Sequence, residues 1–503
     1  MALSIAALLL VGAALFVLNS HTRQDAGLQL SFEPARPMEK VALAEGSVFT
    51  LQAERVFKEI GGRNYSLYAY NKQLPGPVIQ VEQGSKITVN FKNNLPEPTT
   101  VHWHGLRLKN EFDGVPDVTQ KPVEPGGSFR YELEFPDEGI YWYHPHVRED
   151  RQQELGLYGA ILVKPRNATY FNPVDREEIL FLDDLLLDEK GDYYAFEGKE
   201  TNFAVMGRYG NLMLLNGRPD YSLKASKGET IRFFLINSAN VRPFRVQFEG
   251  AKMKLVGADS GKYERESIVD SVTLAPSERA IVEVLFENSG RHMILNNNPS
   301  GKTVLGEVAV EDSKAGKSRR IDFASEKPNP EITASMEEFR KYFNAPPDFI
   351  YNLSVEVEGA TPIAGLFDDE GDGIEWQDAM FAGNKVSTSE RVKWTITDKG
   401  TGAKNMDIKH SVKKGKVFKI RLENNDTSLH PMQHPMHLHG ARFLALNEGG
   451  KENKNLVWKD TVLVPARSSV ELLTYFPNEG EWMLHCHIAE HLGSGMMSSI
   501  KAV

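Results

Sequence analysis

The sequence predicts an all-β chain of three similar domains, and three observations carry that prediction. Apolar and polar residues alternate with a period of two in runs such as 87–91 and 231–235, while a 3.6-residue period is confined to about 330–345. A pattern of Gly, then apolar residues three, five and seven positions on, then Asn at nine, occurs from Gly84 to Asn93, Gly228 to Asn237 and Gly415 to Asn424. The length of 503 residues, at roughly 150 per domain, gives about three domains.

A second repeated element follows each copy, with Pro before a strand and Gly at the turn into the next: Pro125 to Gly139, Pro276 to Gly290, Pro465 to Gly480. Five residues after that Gly stand His144, Leu295 and His485, and two further on His146, Asn297 and His487. The outer repeats therefore carry paired histidines where the middle one carries none. The stretch 313–345, with Lys314 to Arg320 followed by Pro328 and Pro330, breaks the strand pattern and reads as the connector into the third domain.

Composition narrows the function. Lys+Arg number 58 against Asp+Glu 68, a net charge of −10 without a basic stripe, so a nucleic-acid partner has no electrostatic footprint. The single cysteine, Cys486, excludes an intrachain disulfide and a four-thiolate cluster. Residues 2–18 form an uninterrupted apolar and small-residue run before a polar stretch. This segment predicts export or membrane attachment, and an extracytoplasmic location, with cleaved signal and uncleaved anchor both open.

The histidines carry the chemistry. Random placement of 14 histidines in 503 residues gives about 0.4 His-x-His pairs; four occur, His102/His104, His144/His146, His437/His439 and His485/His487. Strand side chains alternate, so each pair points both imidazoles to one face and forms a two-pronged metal claw. In His485-Cys486-His487 the same alternation sends the thiol to the opposite side, which lets one tripeptide serve two metal centres. Two imidazoles, one thiolate and a weak axial thioether make a blue-copper electron-transfer site. Cys486, His491 and Met496 supply three of these, and His434, three residues before a pair, is the candidate for the fourth. The eight remaining imidazoles suit three metals. A mononuclear acceptor wired to a three-copper cluster stores the four electrons that reduction of dioxygen to two waters requires.

These motifs, His102-Trp-His104-Gly, Trp142-Tyr-His144-Pro-His146, His434-Pro-Met-His437-Leu-His439-Gly and His485-Cys486-His487 through Met496, resemble those of the three-domain multicopper oxidases, the family of laccases, bacterial cuprous oxidases and ferroxidases. The resemblance runs from about residue 45 to the end. It implies three consecutive cupredoxin-like Greek-key β-sandwich domains: residues 27–166, residues 167–325 without copper ligands, and residues 326–503 with the type 1 copper, after a signal or anchor at 1–26. It implies four coppers per chain. His434, Cys486, His491 and Met496 would hold type 1 copper, and His102 and His437 type 2. His104, His144 and His487 would hold one type 3 copper, and His146, His439 and His485 the other. Asp113 matches the family's acidic residue beside type 2 copper, a proton source for reduced oxygen. The family's second carboxyl, directly after the second type 1 histidine, is Leu492 here, with Glu490 on the other side of His491.

The expected partners are dioxygen and an electron donor, either a small molecule or a metal ion. An axial Met gives a low-to-middling type 1 potential, which favours easily oxidised donors. His430, Met432 and Met436 place soft donors near the expected type 1 edge, and the acidic run Asp368 to Glu375 could attract cations. Met432 and Met436 read as packing residues and the acidic run as a solvated loop. The stretch Ile374-Glu-Trp-Gln-Asp378 resembles that of bacterial or archaeal laccase-like members. The expectation is a broad phenol and aromatic-amine oxidase, with cuprous or ferrous ion oxidation as the alternative.

Overall fold

The computed structural model describes residues 32–196, 198–312, 323–359, 371–424, 428 and 430–503. The apolar amino-terminal run, Lys314 to Arg320 and the first three residues of the acidic run lie outside the described residues. Among those described, no helix is long and apolar enough to cross a membrane.

Strands pair into three two-sheet sandwiches. The first sets a five-stranded sheet, ending in Gly139–His144 and then His102–His104 at its edge, against a four-stranded one. The second and third each set six strands against five. This is the cupredoxin-like architecture. Each sandwich has its own apolar core, and a further core, including Trp142, Ile140, Phe181 and Phe234, joins the first to the second. The one long helical period is the helix Pro330–Arg340, which buries Ile332, Met336 and Phe339 against Trp458 and Leu473 of the third sandwich.

The repeats have a physical cause. Their strands, Lys86–Asn93, Thr230–Asn237 and Phe418–Asn424, each lie between a parallel and an antiparallel neighbour. Gly84, Gly228 and Gly415 adopt positive φ and donate their N–H to the carbonyls of Phe135, Phe286 and Phe476, which closes the end of each strand pair. At the other end the buried Asn amide crosses to the segment before the repeated proline. Asn93 Nδ2 donates to Val123 O at 2.8 Å, Asn237 Nδ2 to Leu274 O at 2.9 Å and Asn424 Nδ2 to Val464 O at 3.2 Å. Each also donates to a second carbonyl, of Glu97, Arg242 and Met432. Gly and Asn thus recur because each sandwich closes its corners with the same hydrogen bonds.

Asn237→Ala removes two buried hydrogen bonds, to Arg242 O and Leu274 O, at about 1 kcal/mol each. The thermal unfolding midpoint is expected to drop by several degrees in calorimetry, and an unchanged midpoint would show that the repeated asparagine does not hold the corner.

Candidate metal centre

Strand periodicity explains how one short segment feeds two sites. His434 and His437 lie on one strand, His434–Leu438, an odd number of residues apart, so they face opposite ways. Opposite them, Met436 pairs with Cys486 and His437 with His485. His434 and Cys486 therefore fall on one side of the sheet, and His437 and His485 on the other. Only His102 and His104 lie wholly within a strand; the second histidine of every other pair sits just past a strand end.

On the first side, His434 Nδ1 and His491 Nδ1 lie 3.5 and 3.7 Å from Cys486 Sγ. Bonds of about 2.3 Å to sulfur and 2.0 Å to nitrogen at a tetrahedral angle require about 3.5 Å between the donors. The three side chains thus fit one first-row ion. Met496 is buried beside them, its N–H donating to His491 O and its carbonyl accepting from Cys486 N. Trp394 stacks on His491 at 3.9 Å.

On the other side, eight imidazoles meet between the first and third sandwiches. His144 Nε2 lies 3.5 Å from His104 Nδ1 and 3.3 Å from His487 Nε2. His439 Nε2 lies 3.0 Å from His485 Nε2, and His146 joins that group. These separations again match two nitrogens on one ion, about 3.3 Å apart. The rings of His102 and His437 are 5.6 Å apart, each with a buried Nε2 that has no hydrogen-bond partner. The fold brings all eight imidazoles into one cluster, within which His146, His439 and His485 form one close set, and His102 stands close both to His104 and His144 and to His437 and His439.

Six of the eight rings are anchored by their other nitrogen. His102 Nδ1 lies 2.7 Å from Asp113 O, His437 Nδ1 2.8 Å from Asp460 O, His144 Nδ1 2.8 Å from Pro145 O and His485 Nδ1 2.9 Å from Cys486 O. His439 Nδ1 meets the Asp113 carboxylate at 2.9 Å, and His104 Nε2 meets Asp460 Oδ1 at 3.0 Å and Thr461 Oγ1 at 2.9 Å. Such outer partners set which nitrogen faces a metal. Asp113 is 1% exposed and touches one histidine from each outer sandwich.

Sequence reasoning missed Asp460, Thr461 and Trp394, which carry no local signal, and Glu149, whose buried carboxylate lies 3.0 Å from His146 Nδ1. The His-x-x-Glu spacing at a helical turn would have flagged Glu149. Leu492 joins Val115 and Met483 in an apolar wall. Glu490 turns instead to Asn240 of the middle sandwich, 3.1 Å away, and burial pushes its carboxyl up to about 7.

The sequence also gave no sign of what covers the mononuclear site. A segment of the middle sandwich does so: Ala204 O accepts from Trp394 Nε1 at 2.8 Å, Val205 O lies 3.3 Å from His491 Nε2, and Met206 Sδ lies 2.9 Å from His430 Nε2. Met432 and Met436 are fully buried packing residues, and His430 is only 4% exposed.

Burial, reinforced by neighbouring rings, holds His104, His144, His146, His437, His439, His487 and His491 well below their ordinary value. His434 and His485 fall from 6.5 to about 3. Neutral imidazole is the form that binds metal. Burial pushes the Cys486 thiol up, so a bound cation is what makes its thiolate the stable form. In metal-free protein the unfolded chain takes up protons below about 6.5 that the native state refuses, so stability falls as pH drops from there toward 3. Urea midpoints of the metal-free protein are expected to decline steadily from pH 7 to pH 5, and a flat profile would mean that these histidines titrate alike in both states.

Comparison with known proteins agrees with this geometry. Residues 53–168, 182–313 and 382–502 each match a sequence model described as multicopper oxidase. The chain is 28% identical over 484 residues to the multicopper oxidase MmcO of Mycobacterium tuberculosis, covering 90% of this chain and 86% of that one. It is 27% identical over 512 residues to Laccase-1 of Cryptococcus neoformans, covering 90% and 79%. The crystal structure of a multicopper oxidase from Pseudomonas thermotolerans superposes with a TM-score of 0.68 at 26% identity, covering 92% of this chain and all of that one. With its paired histidines gathered between the first and third of three cupredoxin-like sandwiches, this chain is an oxidoreductase of the multicopper oxidase family.

Proposed function

We propose that the protein couples one-electron oxidation of phenolic and aromatic-amine donors to four-electron reduction of dioxygen to water, a laccase-like activity. The observation that carries this reading is the position of Cys486. Its Sγ lies within 3.7 Å of a nitrogen of His434 and of His491, and its two chain neighbours point into the eight-imidazole cluster.

Four coppers fit the donors. His434, Cys486, His491 and Met496 would hold type 1 copper, and His102 and His437 type 2. His104, His144 and His487, and His146, His439 and His485, would hold the type 3 pair. Bound copper supplies one-electron acceptance at the first site and dioxygen reduction at the cluster. The chain supplies the wire: from Sγ through the Cys486 backbone to both histidines, with the bond between His485 Nδ1 and Cys486 O, 2.9 Å, as a second path. Asp113, buried against His102 and His439, is placed to hold a proton for reduced oxygen. The amino-terminal apolar run supports an extracytoplasmic location for this chemistry.

Organic donors are favoured over metal ions by burial. Met432 and Met436, the thioethers that would select Cu(I), are fully enclosed. Beside the covering segment a group of aromatic rings reaches the surface instead: the buried Phe203, two residues before Val205, packs with Tyr194 at 5.8 Å and with Phe381 at 6.2 Å, and Phe381 is 37% exposed. One observation supports the second reading, oxidation of cuprous or ferrous ions: the imidazole of His430 and thioether of Met206 form a soft pair 2.9 Å apart beside His434.

Oxygen uptake by copper-loaded protein, with a methoxyphenol, Fe(II) and Cu(I) compared at matched concentrations, tests the choice. A higher kcat/KM for the phenol, unchanged in Met206→Leu, is expected. Preference for a metal ion, lost in Met206→Leu, would establish the second reading. Cys486→Ser is expected to abolish blue absorbance and donor turnover while cluster copper stays bound; an active serine variant would remove the wire from the reaction.

A further inference from the structure

The middle sandwich holds none of the proposed ligands, yet one of its side chains reaches the cluster's outer wall. Arg279 opens the strand Arg279–Leu285 and its side chain is fully buried. Nη1 and Nη2 each donate to one oxygen of Asp460, both at 2.6 Å. Nε donates to Ile140 O of the first sandwich at 2.9 Å, and Nη1 also to Ser277 O at 3.1 Å. Asp460 belongs to the third sandwich. Three sandwiches therefore meet at one guanidinium.

Asp460 in turn touches two of the imidazoles. Its Oδ1 lies 3.0 Å from His104 Nε2, and its carbonyl 2.8 Å from His437 Nδ1. Thr461 Oγ1 bridges Asp460 Oδ1 at 3.0 Å and His104 Nε2 at 2.9 Å. The site is closed around this carboxylate: Gly105, with φ of +85°, leaves the space, since a Cβ there would stand 2.3 Å from Asp460 Oδ2. Asp259 ties the same knot from behind, accepting from Arg279 N at 2.9 Å and from Asp460 N at 3.3 Å. A buried ion pair contributes little net stability, because desolvation offsets most of its attraction. What a bidentate pair does well is fix orientation.

We propose that Arg279 and Asp460 are positioning residues for the three-metal cluster. The pair holds His104 with Nδ1, and His437 with Nε2, facing inward, so that the ligand-free middle domain controls loading of the cluster. This rests on the copper reading of the eight imidazoles given above. It makes the middle sandwich a clamp on the cluster as well as a cover for the mononuclear site.

The test compares parent protein with Arg279→Met, Arg279→Lys and Asp460→Asn, loaded with copper and read by copper per chain, blue absorbance and the type 2 electron paramagnetic resonance spectrum. Loss of such an outer partner weakens metal binding about 10–100-fold. Arg279→Met is expected to keep the blue band while cluster copper becomes that much easier to remove with a chelator, with an altered type 2 spectrum. Arg279→Lys should lie between the two, since lysine keeps the charge without the fork. Full cluster loading with an unchanged spectrum in Arg279→Met would overturn the proposal. If that variant does not fold, the near-isosteric Asp460→Asn decides by the same measurements. A parent protein that binds copper only at the blue site would overturn the reading of the eight imidazoles, and this proposal with it.

Discussion

The ten histidines proposed as metal ligands, all buried in and between sandwiches, impose the governing constraint on this molecule. An enclosed imidazole that is to remain a free base needs one nitrogen hydrogen-bonded outward and the other left facing a cavity. Carbonyls of Asp113, Pro145, Asp460 and Cys486 and carboxylates of Asp113 and Asp460 satisfy that need for six of the eight cluster rings. All these partners come from loops or strand ends next to the histidines. The rigid sheets hold those ends in register, so the sandwiches serve as scaffolds for hydrogen bonds to histidine.

The division of labour among the three sandwiches follows. The first and third each place two His-x-His claws where neighbouring strands bring them side by side, as in the pairs His102 with His144 and His437 with His485. Their meeting builds the cluster. The middle sandwich retains the corner hydrogen bonds of its siblings but has Leu295 and Asn297 where they have histidines. Its contribution is to the surroundings: residues 204–206 roof the mononuclear site, Asn240 receives Glu490, and Arg279 grips Asp460.

Much of this was legible in the sequence because strand geometry turns spacing into direction. A separation of two keeps His485 and His487 together and puts Cys486 opposite; a separation of three parts His434 from His437. The repeated Gly and Asn were legible because each domain closes its corners with the same few hydrogen bonds. Glu149 was within reach, three residues after His146. The burial of Met432 and Met436 was expected from their packing role, whereas the roof that also encloses His430 was not foreseen.

By itself, the sequence determined the all-β class, the threefold repeat, the residue types of the candidate metal centre and the opposite facing of Cys486 and its two flanking histidines. Each of these depends on local periodicity, which a string of residues records directly. Only the tertiary structure decided that Asp460 stands behind His104, 356 residues away in the chain, that Arg279 reaches it from another domain, and that a middle-domain segment covers His491. Such contacts arise from how separate sandwiches dock. Docking depends on the shape and polarity of whole surfaces, which no local spacing encodes.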